Sequence, residues 1–486
     1  MTSTLDTSAS VGGQPSAAAP TTYSRLVLPA MAANVFLLAV IQTVVVPALP
    51  LIGQQLHTSA TTVGWLATAT MLTASATTPL FGRLGDVFGS RRVILVALTL
   101  TLAGSVLAAT THSIGLLIAA RVLQGASFGL FPLAISVLRQ ELPLHKLHHG
   151  MSIAATALGV GSGFALVATG VLTNHDGDYR RIFWLTVVLS VAMLALSARA
   201  LPKHPGRGGR VDYLGAGVLG AGLVSLLLPI SQGHEWGWTS ARTIGLLVAA
   251  AVILAGFAVL QGRVAQPLMS LRLLAHRDVA FTNAASLFVG YGMFSVFLGA
   301  TFFVQAPSAL TGYGFDASVL RTSVEFMLPG TLLAIPLGPL AGRFVGSHGP
   351  RKVLIGATAL GIVSMAALAL FHAHAAEFIV AVVAVNAAIS IAYAAMPALL
   401  NQHVAPQDTG IANSVNAVMR TVGGAIGSAI VVTILASSAQ AHATPVGTVS
   451  IPTEAAYDTV FVLGAVAFVL AALSAAYGVR KHHVAH

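Results

Sequence analysis

Long apolar runs, broken by short polar turns, dominate the chain. They fall at approximately 26–50, 60–81, 93–111, 114–138, 150–172, 182–201, 212–231, 241–262, 279–306, 316–342, 353–371, 376–401, 409–436 and 456–479. About 20 mostly apolar residues suffice for a helix to cross the hydrocarbon core, so the pattern predicts fourteen transmembrane helices. Strands are disfavoured, because the runs are continuous instead of alternating over about ten residues. Met1–Ser24 is Ser-, Thr- and Ala-rich with Asp6 as its one charge, which reads as a disordered cytoplasmic tail and not a cleaved leader.

Composition agrees with this solvent. Of 486 residues, 56% are hydrophobic and 8% charged, where a soluble domain carries about 25% charged residues. Mean hydropathy is +0.85. A water-soluble enzyme and a disordered chain are both excluded. The absence of Cys removes disulfides, thiolate metal sites and Cys nucleophiles. No phosphate-cradling loop and no nucleophile–base arrangement is present, so no cofactor, no metal and no enzymatic activity are expected.

The net charge of +10 is explained by topology. With the N-terminus inside, 18 of the 24 basic residues fall in inner loops and tails. Arg180, Arg181 and Arg242 are outside, and Arg121, Arg321 and Arg420 lie within runs. Such asymmetry places both termini in the cytoplasm of a cell (inner or plasma) membrane protein. Anionic lipid headgroups are sufficient partners for this charge, and nucleic acid is not needed.

The chain also repeats itself. FGRLGDVFGSRRV at 81–93 aligns with AGRFVGSHGPRKV at 341–353, a constant offset of 260 that also pairs Pro79 with Pro339, Gly150 with Gly410 and Gly163 with Gly423. The predicted architecture is all-α. A tail (1–25) precedes a six-helix bundle (26–201), a linker with two extra helices (202–278), a second bundle (279–480) and a short tail (481–486). Parallel repeats of this kind mark transporters in which two bundles rock about a midplane site. A channel is disfavoured, since no charged ring or filter-like loop is present.

Several stretches resemble the major facilitator superfamily, and within it the fourteen-helix drug:proton antiporters. These are GRLGDVFGSRR at 82–92, RVLQG at 121–125, Gly159-x-x-x-Gly163, YRRIF at 179–183, WGW at 236–238 and GIANSVNAVMRTVGG at 410–424. The resemblance implies the major facilitator fold and a cytoplasmic gate made by Gly82, Asp86, Gly89, Arg91 and Arg92. It also implies close packing at Gly159, Gly163, Gly423 and Gly427, and a proton-coupling role for Arg121. TVVVPALP at 43–50 resembles the first-helix stretch of the subfamily, but Ile41 stands where an Asp is expected and Val46 where an Asn is. Phe164 replaces a Pro, and Thr70 replaces the Tyr that follows Trp65.

An ionisable side chain within a span is costly and therefore a candidate for function. Glu325 is the single acid well inside a run, roughly 13 Å along the helix from Asp316. Desolvation favours its protonated form, which suits a proton carrier. Arg321, at i−4 on the same face, offers either a partner in that mechanism or a static ion pair. Arg121 and Arg420 are each either functional or anchors bonded to carbonyls. Gln42, Trp65, Gln305, Asn386, Tyr393, Asn416 and Arg420 form the candidate substrate cavity, although polar groups in spans also act as glue between helices. The histidines, among them His372 and His374, are expected to be solvated in loops and tails.

The expected function is proton-coupled export of hydrophobic or amphiphilic small molecules, cationic ones included, by a monomer using alternating access. Movement of a lipid or glycolipid between leaflets is the alternative with the same fold. A membrane receptor is disfavoured, because no soluble signalling domain is visible.

Overall fold

The computed structural model describes residues 26–478, apart from 175–176, 204, 207, 209–210, 265–266, 269–274, 405–408 and 445–446. Both predicted tails lie outside the described residues, as do Arg207, Arg210 and Arg272. Every predicted run carries helix. In chain order the elements are α1 (Val27–Thr43), a 3-10 turn (Val46–Ala48), α2 (Leu49–Gln55), α3 (Ala60–Phe88), α4 (Ser90–Thr110) and α5 (Ile114–Gln124). A 3-10 turn (Gly125–Gly129) leads into α6 (Leu130–Glu141), followed by α7 (Leu144–Leu172), α8 (Arg180–Ala200), α9 (Tyr213–Trp236) and α10 (Ala241–Arg263). The last third contains α11 (Arg277–Val304), α12 (Leu328–His348), α13 (Pro350–Leu370), α14 (Ala375–Asn401), α15 (Thr409–Ser437) and α16 (Glu454–Leu473).

Among the described residues, eleven helices are long and apolar enough to cross a membrane. A twelfth counts if the pair Val319–Gly338 and Leu340–His348, bent by 47°, is one span. The structure therefore bears out the all-helical membrane fold, while fourteen remains the expected number of spans. Threonine lowers the hydropathy of α3. Its hydroxyls are turned back on the helix, with Thr68, Thr70, Thr73, Thr77 and Thr78 each bonding the carbonyl four residues earlier at 2.6–3.2 Å. Such a helix conceals its own polarity.

Two features were not legible in the hydrophobic pattern. Between α15 and α16 the chain forms an antiparallel hairpin, β1 (Ala439–Thr444) and β2 (Gly447–Pro452). Ahead of α12, a short helical turn (Val319–Arg321) runs into a π-helical segment, Thr322–Met327. π-bulges insert an extra residue into the ladder and concentrate at functional sites.

The internal repeat recurs in the backbone. Gly89 ends α3 at φ +91° and Gly349 ends α12 at φ +83°, the same offset of 260 residues. Two residues later, Arg91 donates to the Ala198 carbonyl of α8 at 2.8 Å, and Arg351 donates to the Ala475 carbonyl after α16 at 3.0 Å. In each half, a cation thus satisfies the orphan carbonyls at the end of the last helix.

We call the end with these turns the basic end and the other the far end. At the far end, Gln55 bonds Gly177 and Tyr179, and His372 meets Glu454. The residues on either side of the central linker meet along two seams, α3 against α15 and α7 against α12 with its lead-in turn. Contact is tightest toward the far end. A Cβ on Gly64 would lie 2.3 Å from Val432, and one on Gly170 would lie 2.7 Å from the Leu320 backbone. Two hydrogen bonds between described residues cross there, Thr68 Oγ1 to Ser428 Oγ at 2.8 Å and Gln305 Nε2 to the Pro47 carbonyl at 2.9 Å. Toward the basic end, added Cβ atoms on Gly82, Gly342 and Gly346 would meet open space.

The α9–α10 pair packs along the first seam. Leu219 and Leu223 of α9 join Leu72 and Leu80 of α3 and Val415 and Val418 of α15 in one apolar cluster. Asp212 caps α9 through the Gly215 N–H and accepts from Gln261 of α10 at 2.5 Å, stitching the pair at the basic end.

Gly89 and Gly349 hold backbone conformations that L side chains rarely adopt. Gly89→Ala and Gly349→Ala should each cost about 1–3 kcal/mol, read as a lower midpoint of thermal unfolding in detergent. Gly82→Ala, in open space, should leave it unchanged.

Candidate functional site

Three arginines within the helical body meet three different environments. Arg121, in the last turn of α5, is fully buried. Its Nε donates to the Leu66 carbonyl at 3.0 Å, and its Nη1 to the Ile41 carbonyl at 3.2 Å and to Gln124 Oε1 at 2.7 Å. Gln124 passes the chain on to Ser105 Oγ at 2.9 Å. One guanidinium thus ties α1, α3, α4 and α5 together. No described carboxylate is bonded to it. Ile41, standing where an acid was expected, contributes its backbone carbonyl instead. A buried charge is tolerable only when its donors are satisfied, and here carbonyl dipoles and an amide do that.

Arg321 and Glu325 form an ion pair, Nε to Oε2 at 2.6 Å, and Arg321 also donates to the Phe315 carbonyl at 3.0 Å. Both side chains are about two-fifths exposed. They lie on an open strip of the π-helical segment and α12 that continues into exposed Leu332, Leu333 and Leu340. Thr322, Ser323, Phe326 and Met327 on the same segment are buried. A bidentate pair at this degree of exposure contributes little stability.

Arg420, twelve residues into α15, makes no hydrogen bond or ion pair to any described residue. Its guanidinium carbon stands 4.4 Å from the centre of the Tyr393 ring of α14, whose hydroxyl meets Met293 Sδ of α11 at 3.2 Å. The partly exposed residues Asn413, Ala417, Arg420 and Thr421 share one side of α15. The adjoining side is pressed onto α11. A Cβ on Gly290 would lie 2.1 Å from the Arg420 carbonyl oxygen. Cβ atoms on Gly423 and Gly427 would meet the Leu287 and Tyr291 carbonyls at 1.9 and 2.8 Å. Gly159 and Gly163 of α7 face Ile335 and Leu328 of α12 in the same manner, at 2.7 and 3.4 Å.

The other candidates scatter. Asn416 is buried and donates to Asn283 Oδ1 at 3.0 Å and Ser286 Oγ at 2.5 Å, joining α15 to α11. Asn386 bonds the Val382 carbonyl of its own helix and lies against Gly330. Gln305 is engaged at the far-end seam. Gln42 and Trp65 are half-buried near the far ends of α1 and α3. At the basic end Asp86 and Arg92 are exposed, Arg91 is occupied by the Ala198 carbonyl, and Gly89 makes the turn.

Sequence reasoning missed the far-end cluster around His372. This side chain is 14% exposed, not solvated. Its ring nitrogens face the Leu368 carbonyl at 2.9 Å and Glu454 Oε1 at 3.0 Å, and Phe303 meets it edge-on. Burial, then the Glu454 carboxylate, pushes the Tyr313 hydroxyl up to about 12. Its neutral phenol donates to the Pro452 carbonyl of β2. This contribution is complete below the ordinary tyrosine range near 10 and is lost as pH rises through about 12. On the other half, the Arg180 guanidinium holds the Asp178 carboxyl below the usual range. No residue pattern announced either group, because partners such as His372 and Glu454 are 82 positions apart.

The family model described as Major Facilitator Superfamily matches residues 31–427 and again 281–485, the second match overlapping the later half of the first. The chain belongs to this superfamily. An uncharacterized MFS-type transporter of Mycobacterium tuberculosis is 29% identical over 83% of this chain and 58% of its own length. The facilitator described here thus spans under two thirds of that relative. The tetracenomycin C resistance and export protein of Streptomyces glaucescens is 25% identical over 84% of this chain and 76% of its own. Among solved structures, an auto-inhibited POT family peptide transporter superposes with TM-score 0.65 at 17% identity. The match covers 94% of this chain and 98% of that one, and it shows a shared fold.

The bonding pattern separates the two central cations. Arg121→Met removes three charged hydrogen bonds and should cost about 3 kcal/mol or more. Arg420→Gln breaks none and should leave the unfolding midpoint in detergent nearly unchanged.

Proposed function

We propose that this facilitator is a proton-coupled exporter of hydrophobic or amphiphilic small molecules, seated in the cell membrane as a monomer with both termini cytoplasmic. The observation that carries the reading is the asymmetry of the two seams. Residues 26–201 and 279–480 are joined at the far end by Gly64–Val432, Thr68–Ser428 and Gln305–Pro47, whereas Cβ atoms added to Gly82, Gly342 and Gly346 toward the basic end would meet open space. Since basic ends face the cytoplasm, this is a state open to the inside. Substrate would enter there, and rocking of the two bundles would present it outside. The 202–278 linker would ride along the α3–α15 seam. The name of the Streptomyces glaucescens relative, a resistance and export protein, supports the direction of transport.

Glu325 is the acid placed to carry the proton. Its carboxylate is about two-fifths exposed and is held by Arg321. Protonation would release Arg321 and loosen the lead-in to α12, the segment that α7 contacts at Gly170. Asp86 would act at the gate when the basic end closes. It has room to do so, being exposed and without an ion pair to a described residue here.

The alternative, lipid movement through a lateral opening beside the extra hairpin, is disfavoured on that side. There α9 covers the seam with packed leucines.

The chain lacks cysteine, so Thr68→Cys with Ser428→Cys makes a clean crosslinking pair. Oxidation should join them and abolish drug efflux, and reduction should restore it. Failure to crosslink, or crosslinked protein with full efflux, would overturn alternating access. Glu325→Gln should lower export driven by an imposed pH gradient in proteoliposomes by about tenfold or more. Unchanged export would remove Glu325 from the mechanism.

A further inference from the structure

We infer that Arg420 and Tyr393 form an anion-binding subsite in the transport cavity, so that the preferred substrates are amphiphiles with an acidic group, not cations. The inference rests on the transport reading above and adds the charge of the substrate. It starts from the inventory of charges in the helical body. Glu325 is taken by Arg321, and Arg121 is closed in by two carbonyls and Gln124. Arg420 remains, with no hydrogen-bond acceptor or carboxylate among the described residues. It lies about 17 Å along α15 from Thr409, near the middle of a 29-residue helix.

A guanidinium at that depth needs water or an anion. Tyr393 lies under its face at 4.4 Å, which orients the planar group and leaves its edge of N–H donors free. That edge matches a carboxylate, sulfonate or enolate held by two parallel hydrogen bonds. Ala417 and the Met293 thioether, which meets the Tyr393 hydroxyl, are partly exposed beside it and would face the apolar rest of the molecule. In so apolar a site, the same positive charge repels a cation from several ångströms away. The geometry reverses the expectation of cationic drugs drawn from the sequence.

Three dyes with fused aromatic frames and different charge test this: carboxyfluorescein (anionic), rhodamine 6G (cationic) and Nile red (neutral). Saturable binding to the purified full-length protein and transport into proteoliposomes are both measured. Wild type should bind and transport carboxyfluorescein in preference to rhodamine 6G. Arg420→Gln should lose carboxyfluorescein binding and transport by about tenfold or more while Nile red stays within about twofold. Arg420→Lys, which keeps the charge without the fork, should fall in between. Arg242→Gln is the control for total charge, since Arg242, in the first turn of α10, stacks on Trp236 at the end of α9.

The subsite is overturned if wild type shows no saturable carboxyfluorescein binding, if it handles the three dyes alike, or if Arg420→Gln lowers all of them equally. Carboxyfluorescein binding that depends on Arg420, with no dye transported, would support the subsite and overturn the exporter reading instead.

Discussion

In a hydrocarbon solvent, each polar group has to find its partner within the protein, and most of this structure follows from that requirement. The threonines of α3 bond their own helix. Asp212 bonds an N–H and Gln261 across the hairpin. Arg91 and Arg351 occupy the free carbonyls at the ends of two other helices. The same requirement explains why close approach is concentrated at glycine. Where Gly290, Gly423 and Gly427 let α11 and α15 touch backbone to backbone, dispersion contacts replace the hydrophobic drive that lipid does not provide.

The cations show how far burial can be separated from function. Arg121 is fully enclosed, and its guanidinium ties four helices together. Arg420 is less buried and has no hydrogen bond or ion pair among the described residues, only the face of Tyr393. The donors of Arg121 are satisfied by protein groups, whereas those of Arg420 meet none among the described residues, the difference on which the proposed anion subsite rests. Arg321 lies between these extremes, since its partner can be neutralised by one proton. The departure of Ile41 from the family pattern matters here. With no carboxylate at that position, the Arg121 guanidinium is met by the Ile41 carbonyl, and no described carboxylate is bonded to it.

Asymmetry along the membrane normal gives these groups direction. The far end is closed by glycine contacts, two crossing hydrogen bonds and, on the second half, an aromatic cluster built on Phe303, Tyr313, Phe378 and Tyr457. Toward the basic end, Cβ atoms added to Gly82, Gly342 and Gly346 would meet open space. Along the α3–α15 seam the α9–α10 pair adds a third layer, so the two seams are unequal in their exposure to lipid. The π-helical turn ahead of α12 and the bend within it, between Gly338 and Leu340, place irregular backbone along the seam where α7 presents Gly159, Gly163 and Gly170.

Much of the architecture is written in local pattern. Run length and hydropathy are properties of consecutive residues, so the helices and the predominantly helical class were readable. The 260-residue offset was readable too, and it reappears in the positive φ of Gly89 and Gly349. The bias of Arg and Lys toward one set of loops is likewise a one-dimensional quantity. Partnerships are not. That Arg121 would take the carbonyls of Ile41 and Leu66 while Arg420 would take none depends on how helices rotate about their axes. So does the burial of His372 against Glu454, and the engagement of Gln305 with Pro47 instead of a cavity. An apolar run is compatible with any rotation, and only packing of the whole bundle selects one.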